Sequence, residues 1–515
     1  MTYSSYHYSK ESRDRPMLAI IGGGIAGSVQ AIYIAEKHPE IDIHIFDKNK
    51  DILSGTSNMN PGRPTFGFHY RHLDTATFCQ DNTVKFTKFL DKIGCPNIFA
   101  KAPQNGIYVL MRNSTRILGD SVNPVFSPDL IEPVFDQIKD HAIKNYSNDN
   151  DFTKHFGSPE QICRRLEEDE YKKYLKSELL PSVGSVYDTA EKTFDTAGVC
   201  SFLREHIRKI KNITLHTRAA VTQLERIHEI SGSGYRIVWT DGHSGKAKIS
   251  TAKFLTLACW ERVGLFRAQL GKAESQPTHN RLKMLAILET EVPADRRDTI
   301  RPIFAASGPF SMISPQRAIE MPGGGIKCTL CCTLAVKTNV MNVADDKPLP
   351  AQYNNLIEGR IGLEEKLGMA VPILEGARQF FSCLESATLV DVRFGTVRVP
   401  FGGGKNVDIH DPESEHHSRD YPGCSNLGDG LFVNEAMKMI YSVYNAEKMA
   451  DWLAAELDEN SFNEVMDKTP RMMVVKKGVL GIIHSPALGL LAAKPPNSLK
   501  PSRWQRWRCK ACFWD

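Results

Sequence analysis

The sequence predicts an α/β fold of two interleaved domains, one on a parallel sheet and one on a mixed or antiparallel sheet. Three observations predict it. An apolar run at 17–21 passes through closely spaced glycines into a helical pattern, apolar runs at 281–336 are bounded by Pro and Gly, and a second strand-then-helix pattern lies at 430–447.

The first pattern is the most specific. Met17–Ile21 is a continuous apolar run, as expected of a parallel strand buried on both faces. Gly22 allows a tight turn, Gly24 lets backbone approach a pyrophosphate, and Gly27 lets the following helix lie close on the strand. The helix is expected over Ile25–Lys37, ending at His38-Pro39. Phosphates suit its N-terminus, where unpaired N–H groups and the helix dipole favour negative charge. Ile41–Phe46 then alternates as a second strand that delivers Asp47, a carboxylate suited to both hydroxyls of an adenosine ribose. These residues specify a dinucleotide and leave NAD and FAD open.

The stretch from Ser54 to Tyr70 is rich in small and polar residues that let backbone pass a flat ligand. Thr65-Phe66-Gly67-Phe68-His69-Tyr70 resembles the small-Gly-aromatic-aromatic element of the D-amino-acid oxidase superfamily of FAD-dependent oxidoreductases. That group includes glycine oxidase, L-2-hydroxyglutarate dehydrogenase and flavin-dependent glycerol-3-phosphate dehydrogenase. Three later segments extend the resemblance. Phe194–Gly198 leads to an expected helix at Val199–Ile210 and a strand at Ile213–His216. Ala220–Leu224, Gly234–Trp239 and Phe254–Ala258 read as strands, the last followed by Cys259 where glycine is common and by Trp260. Gly430–Val433 feeds a helix that resembles the one closing the flavin site, with Ala436 and Met437 in place of two glycines before Lys438.

The resemblance implies a Rossmann-like FAD-binding domain interleaved with a mixed or antiparallel-sheet substrate domain. Its expected segments are 1–80, 155–285 and 385–460 for the FAD-binding domain, 81–154 and 286–384 for the substrate domain, and 461–515 for a C-terminal appendage. Within 81–154, a helix is expected near Asn82–Ile93 and a polar loop at Asn145–Asp151. The apolar runs at 281–289, 301–305, 310–315 and 326–336 read as strands of the second sheet. Residues implied to contact FAD are Gly22, Gly24, Gly27, Asp47, Lys48, Ser54, Gly55, Thr56, Val221, Ala258, Trp260, Lys438 and Met439.

The implied activity is hydride transfer to flavin from a C–H bond beside an amine or hydroxyl of a small acid. Such chemistry needs a substrate held over the ring, an anchor for its charged end and stabilisation of negative charge on the reduced ring. A planar guanidinium matches a carboxylate or phosphate in two hydrogen bonds. Arg398 is the first candidate anchor and Arg393 the second, with surface ion pairing the competing reading for both. His69 is the candidate nearest the reacting carbon, with Tyr70 or Arg71 as substitutes, and a covalent flavin link through His69 stays open. Two other functions remain at this point: an NAD-linked dehydrogenase sharing only the N-terminal unit, and a non-catalytic flavin-fold binding protein.

Composition narrows the setting. Sixty-four basic against 60 acidic residues leave a net charge of +4, with no basic cluster before the last fifteen positions, so nucleic acid is not an expected partner. Residues 2–15 are polar and lack the apolar core of a signal peptide. Twelve cysteines, mostly within apolar runs, suit buried thiols in the cytosol. Cys328-x-x-Cys331 and Cys509-x-x-Cys512 have zinc-knuckle spacing, yet strand alternation puts the first two on opposite faces, and no metal is expected. Val479–Ala493 is apolar, too short to span a bilayer, and contains Pro486. It reads as a helix packed on protein in preference to an interfacial membrane anchor helped by Trp504 and Trp507.

Overall fold

In the computed structural model the described residues are 15–468, apart from 64, 69, 102–104, 230–231, 275–277, 307–309 and 401–420, together with 473–476 and 479–482. Contacts divide the chain into two units, 1–454 and 455–515.

The first unit is built on three main sheets. One is six-stranded, in the order 424–426, 431–434, 254–257, 17–21, 42–46, 213–216. All neighbours are parallel except Cys424–Asn426, which runs antiparallel on the edge. The strand Met17–Ile21 sits inside this sheet and is fully covered from Leu18 onward, which explains its unbroken apolar run. The helix Ile25–Lys37 follows directly, as its spacing predicts. A three-stranded antiparallel meander of Ala219–Glu229, Gly232–Asp241 and Ala247–Ala252 packs with this sheet around Phe46, Leu224, Trp239 and Leu257.

The nine-stranded sheet holds the runs read as strands from sequence, now bounded as Thr278–Val292, Ile303–Ala305, Met312–Glu320 and Ile326–Thr333. One face is sealed by the helices Ala351–Ile357 and Leu363–Arg378, which share a core with Leu282, Met284, Leu330, Val392 and Phe394. The same sheet takes Cys163–Arg165 and Val183–Thr189, and its edge strand is Thr388–Pro400. The resemblance places those segments in the FAD-binding domain, whereas their hydrogen bonds join Gly106–Met111 and Thr278–Val292. Strand pairing across such distances leaves no local mark in the sequence.

Three helix expectations also shift. The helix expected at Val199–Ile210 spans Thr196–Ile207, because Asp195 caps it by accepting from the Gly198 N–H at 2.9 Å. The one near Asn82 spans Leu73–Lys92, its early turns burying Thr75, Gln80 and Thr83, polar residues that hide the apolar period. The loop expected at Asn145–Asp151 shortens to residues 147–149. One helix runs Pro128–Tyr146, and the next starts at Asn150 with Asp149 accepting from the Phe152 N–H.

The second unit has two described parts, the end of the helix Ser442–Lys468 and an antiparallel pair of Met473–Lys476 with Val479–Ile482. Val479–Ile482 is therefore a strand, not the start of a helix. The β-branched residues Val474, Val475 and Val479 favour the pairing, and the apolar window at 479–493 had left out the partner strand. The rest of that window, Cys509, Cys512 and the terminal tryptophans lie outside the described residues. Among the described residues, no helix is long and apolar enough to cross a membrane.

Candidate flavin site

The site begins at the turn after Met17–Ile21. Gly22 has φ +109°, and a Cβ there would lie 2.4 Å from the Ala258 carbonyl oxygen. A Cβ on Gly27 would lie 2.1 Å from the Gly22 carbonyl oxygen, so helix and strand approach to a distance only glycine permits. Asp47, at the end of the second strand, accepts from the Gly23 N–H on one oxygen and from the Asn49 N–H on the other, both at 2.8 Å. Burial pushes its carboxyl up, and the two N–H groups pull it back. Each oxygen keeps a lone pair for a further donor.

A cavity opens from this turn. Gly22, Gly24, Asp47 and Lys48 line one end, and Ser54, Gly55 and Thr56 line its roof. Val221, Ala258 and Trp260 come from the middle of the chain, Lys438 and Met439 from the turn after Leu431–Asn434. Segments more than 400 positions apart thus meet in one space. Gly27 lies beneath it, in the helix packing just described.

Side chains brace the cavity wall. Lys48 pairs with Glu261 at 3.1 Å, and the Trp260 indole N–H donates to the Thr396 carbonyl at 2.7 Å. Ser57, which the sequence reading did not single out, accepts from the Ile25 N–H at 2.8 Å and so occupies part of the helix N-terminus. Lys438 reaches Thr65 Oγ1 at 3.4 Å, with its Nζ 5.2 Å from the centre of the buried Tyr70 ring. His69 lies outside the described residues.

Of the lining residues, Trp260 and Ala436 hold positive φ, at 47° and 41°, a region L residues adopt at a cost, and Leu53 and Thr65 do so beside the lining loop, at 58° and 64°. Ala436 therefore takes the glycine-like backbone of the residue it replaces.

The two candidate anchors face opposite ways. On the strand Thr388–Pro400, Val392 and Phe394 point into the helix-covered core, and Thr396 meets the Tyr353 hydroxyl at 2.7 Å. Arg398 shares that parity. It is 3% exposed and its guanidinium is committed to Glu435, Asp345, Glu274 and the Thr278 hydroxyl. The other face carries Arg393, Gly395 and Val397. Val397 lines the cavity and Gly395 packs beside Thr56, so this face looks toward the roof. Arg393 is half-buried there, opposite Leu285, with no hydrogen bond or ion pair among the described residues. Burial pushes the Cys331 thiol up to about 11 against the pull of the nearby Arg393 charge.

Cys328 and Cys331 are both buried, on opposite faces of Ile326–Thr333. Burial holds the Cys328 thiol up at about 12, far from a metal-ligating thiolate.

Parallel sheet, glycine turn and cavity together define a dinucleotide-binding oxidoreductase. The model of the FAD dependent oxidoreductase family matches residues 17–307, more than half of the 515 residues, and the chain belongs to that family. FAD is accordingly its cofactor, which removes the NAD-linked reading, and the chain is an enzyme. The cradle at Gly22 and Gly27 and the acceptor Asp47 fit such a group. Solved structures agree on the fold. L-amino acid deaminase from Proteus vulgaris is 15% identical with a TM-score of 0.55, covering 88% of this chain and 96% of its own. Glycine oxidase from Geobacillus kaustophilus is 14% identical at 0.52, covering 85% and 94%. L-proline dehydrogenase from P. horikoshii is 11% identical at 0.52, covering 86% and 94%. No curated protein sequence matches the chain significantly.

Proposed function

We propose that this enzyme oxidises a C–H bond beside the amine or hydroxyl of a small acid, with Arg393 holding the acid. The observation that carries the reading is the contrast between two arginines on one strand. Arg398 is held by carboxylates of its own chain through both terminal nitrogens, whereas the Arg393 guanidinium makes no ion pair among the described residues. A half-buried guanidinium with no ion-pair partner among those residues can take a substrate carboxylate or phosphate in two hydrogen bonds.

Bound FAD supplies hydride acceptance at the flavin ring. The chain does the rest. Arg393, on the strand face that Gly395 and Val397 turn toward Thr56 and the cavity, orients the acid, and Lys438 places a positive charge in the cavity lining. The matched structures named above act on amino acids by their titles, which supports an amino acid as the first substrate to try. Ten cysteines outside any disulfide among the described residues support a reducing compartment, and we place the enzyme in the cytosol.

The test is anaerobic bleaching of the flavin absorbance by amino acids, hydroxy acids and polyol phosphates. An active compound from that panel should lose affinity by roughly a hundredfold in Arg393→Met, as expected for a charge-assisted pair worth about 3 kcal/mol, with FAD still retained. Equal KM values in wild type and Arg393→Met would refute the anchor, and a flavin that no acid bleaches would refute the reaction.

A further inference from the structure

Arg398 is free to do something other than bind substrate. Three carboxylates contact it, Asp345, Glu274 and Glu435, and Glu274 also meets Arg267 at 2.6 Å. Of the three carboxylates, Glu435 alone lines the flavin cavity. It follows Asn434 at the end of a central strand and immediately precedes the strained Ala436, so the turn that carries Met437, Lys438 and Met439 begins at this carboxylate. Glu435 is only 7% exposed, and its N–H is tied to the Gly423 carbonyl at 2.7 Å. Such a side chain has little freedom to turn away.

We infer that Arg398 is a positioning residue that neutralises Glu435 in the cavity wall, and so sets how readily the bound flavin accepts electrons. A reduced flavin carries more negative charge than an oxidised one, and an unpaired carboxylate beside it in a low dielectric disfavours reduction. The ion pair removes that penalty. It also joins the edge strand of the broad sheet, which carries Arg393, to the turn that lines the flavin cavity. One residue thereby holds substrate wall and cofactor wall in a common frame.

The decisive measurement is the midpoint potential of the bound flavin, by equilibration with a reference dye, in the full-length holoenzyme. Arg398→Met should shift it negative by about 30 mV or more, tenfold in a two-electron equilibrium. Glu435→Gln should shift it the other way, and Arg398→Met with Glu435→Gln should return it to within threefold of wild type. Arg398→Lys should keep the wild-type value. A packing role alone predicts something different: the double variant would be as far from wild type as Arg398→Met, or farther, and that result would overturn the inference. If Arg398→Met fails to retain FAD, Glu435→Gln decides alone. No shift, or a negative one, refutes the charge role.

Discussion

The two ends of the cavity are built in different ways. At the Gly22 end, backbone does the work: two glycines that admit no Cβ, a helix start, and a carboxylate held by N–H groups. At the Arg398 end, side chains do it, drawn from positions 274, 345, 398 and 435 and joined by ion pairs. The first end has a local sequence signature because backbone geometry is a property of neighbouring residues. Ion pairs between remote segments have none.

A side chain at Gly22 is the harshest test of that difference. Gly22→Ala puts a Cβ against the Ala258 carbonyl and forces alanine to φ +109°. Overpacking and backbone strain together should cost about 3 kcal/mol or more, with FAD lost on desalting. Urea unfolding measures the first and absorbance of the desalted protein the second. A variant that unfolds like wild type and keeps its flavin would show that the turn is not backbone-limited.

Next in size is a pH effect at the same end. His44 Nδ1 and His216 Nε2 lie 3.0 Å apart, with the His216 ring stacked on Phe46 at 4.5 Å. The Asp47 N–H bonds to the His216 carbonyl at 2.9 Å, so the pair abuts the nucleotide carboxylate. Burial, then the charges of His44 and Lys248, hold His216 down at about 4, and burial lowers His44 against the pull of Asp42. The unfolded chain, with a pKa near 6.5, takes up the proton first. Stability is therefore intact above that pH and falls as pH drops toward 4, by roughly 2 kcal/mol. Unfolding free energies at about pH 7 and about pH 5 should differ in wild type and converge in His216→Gln. Equal slopes in both proteins would remove the histidine pair as the cause.

These residues show what the sequence reveals and what it hides. The glycine turn, Asp47 and the strands of both sheets are legible, because a Cβ-free turn and an apolar period need only adjacent residues. The sequence puts Arg398 ahead of Arg393 as anchor, and the strand's face parity and the ion pairs, which it does not display, separate the two. Two arginines five positions apart on a strand point to opposite faces, and which face is lined with acid depends on 274, 345 and 435. Ser57 lay within the small-residue loop already recognised, so composition marked its neighbourhood without marking its hydrogen bond to Ile25. The buried amides Gln30, Asn434 and Asn445, which link the first helix to the strand Leu431–Asn434 and the helix after it, are invisible for the same reason as Arg398.

The smallest predicted effect tests whether the Arg398 end carries backbone strain of its own. Ala436 sits at φ +41° where the family pattern has glycine, and left-handed backbone costs an L residue about 1 kcal/mol. Glycine would relieve that strain but give more freedom to the unfolded chain, which offsets part of the gain. Ala436→Gly should thus stabilise the protein by about 0.5 kcal/mol, read as a small rise in melting temperature, with FAD affinity unchanged. A loss of stability would mean that the Ala436 methyl, 6% exposed against the cavity wall, contributes more by packing than its backbone loses by strain. In that case the alanine is a fitted part of the flavin end, and Arg398 and Glu435 hold a turn whose shape depends on side chains throughout.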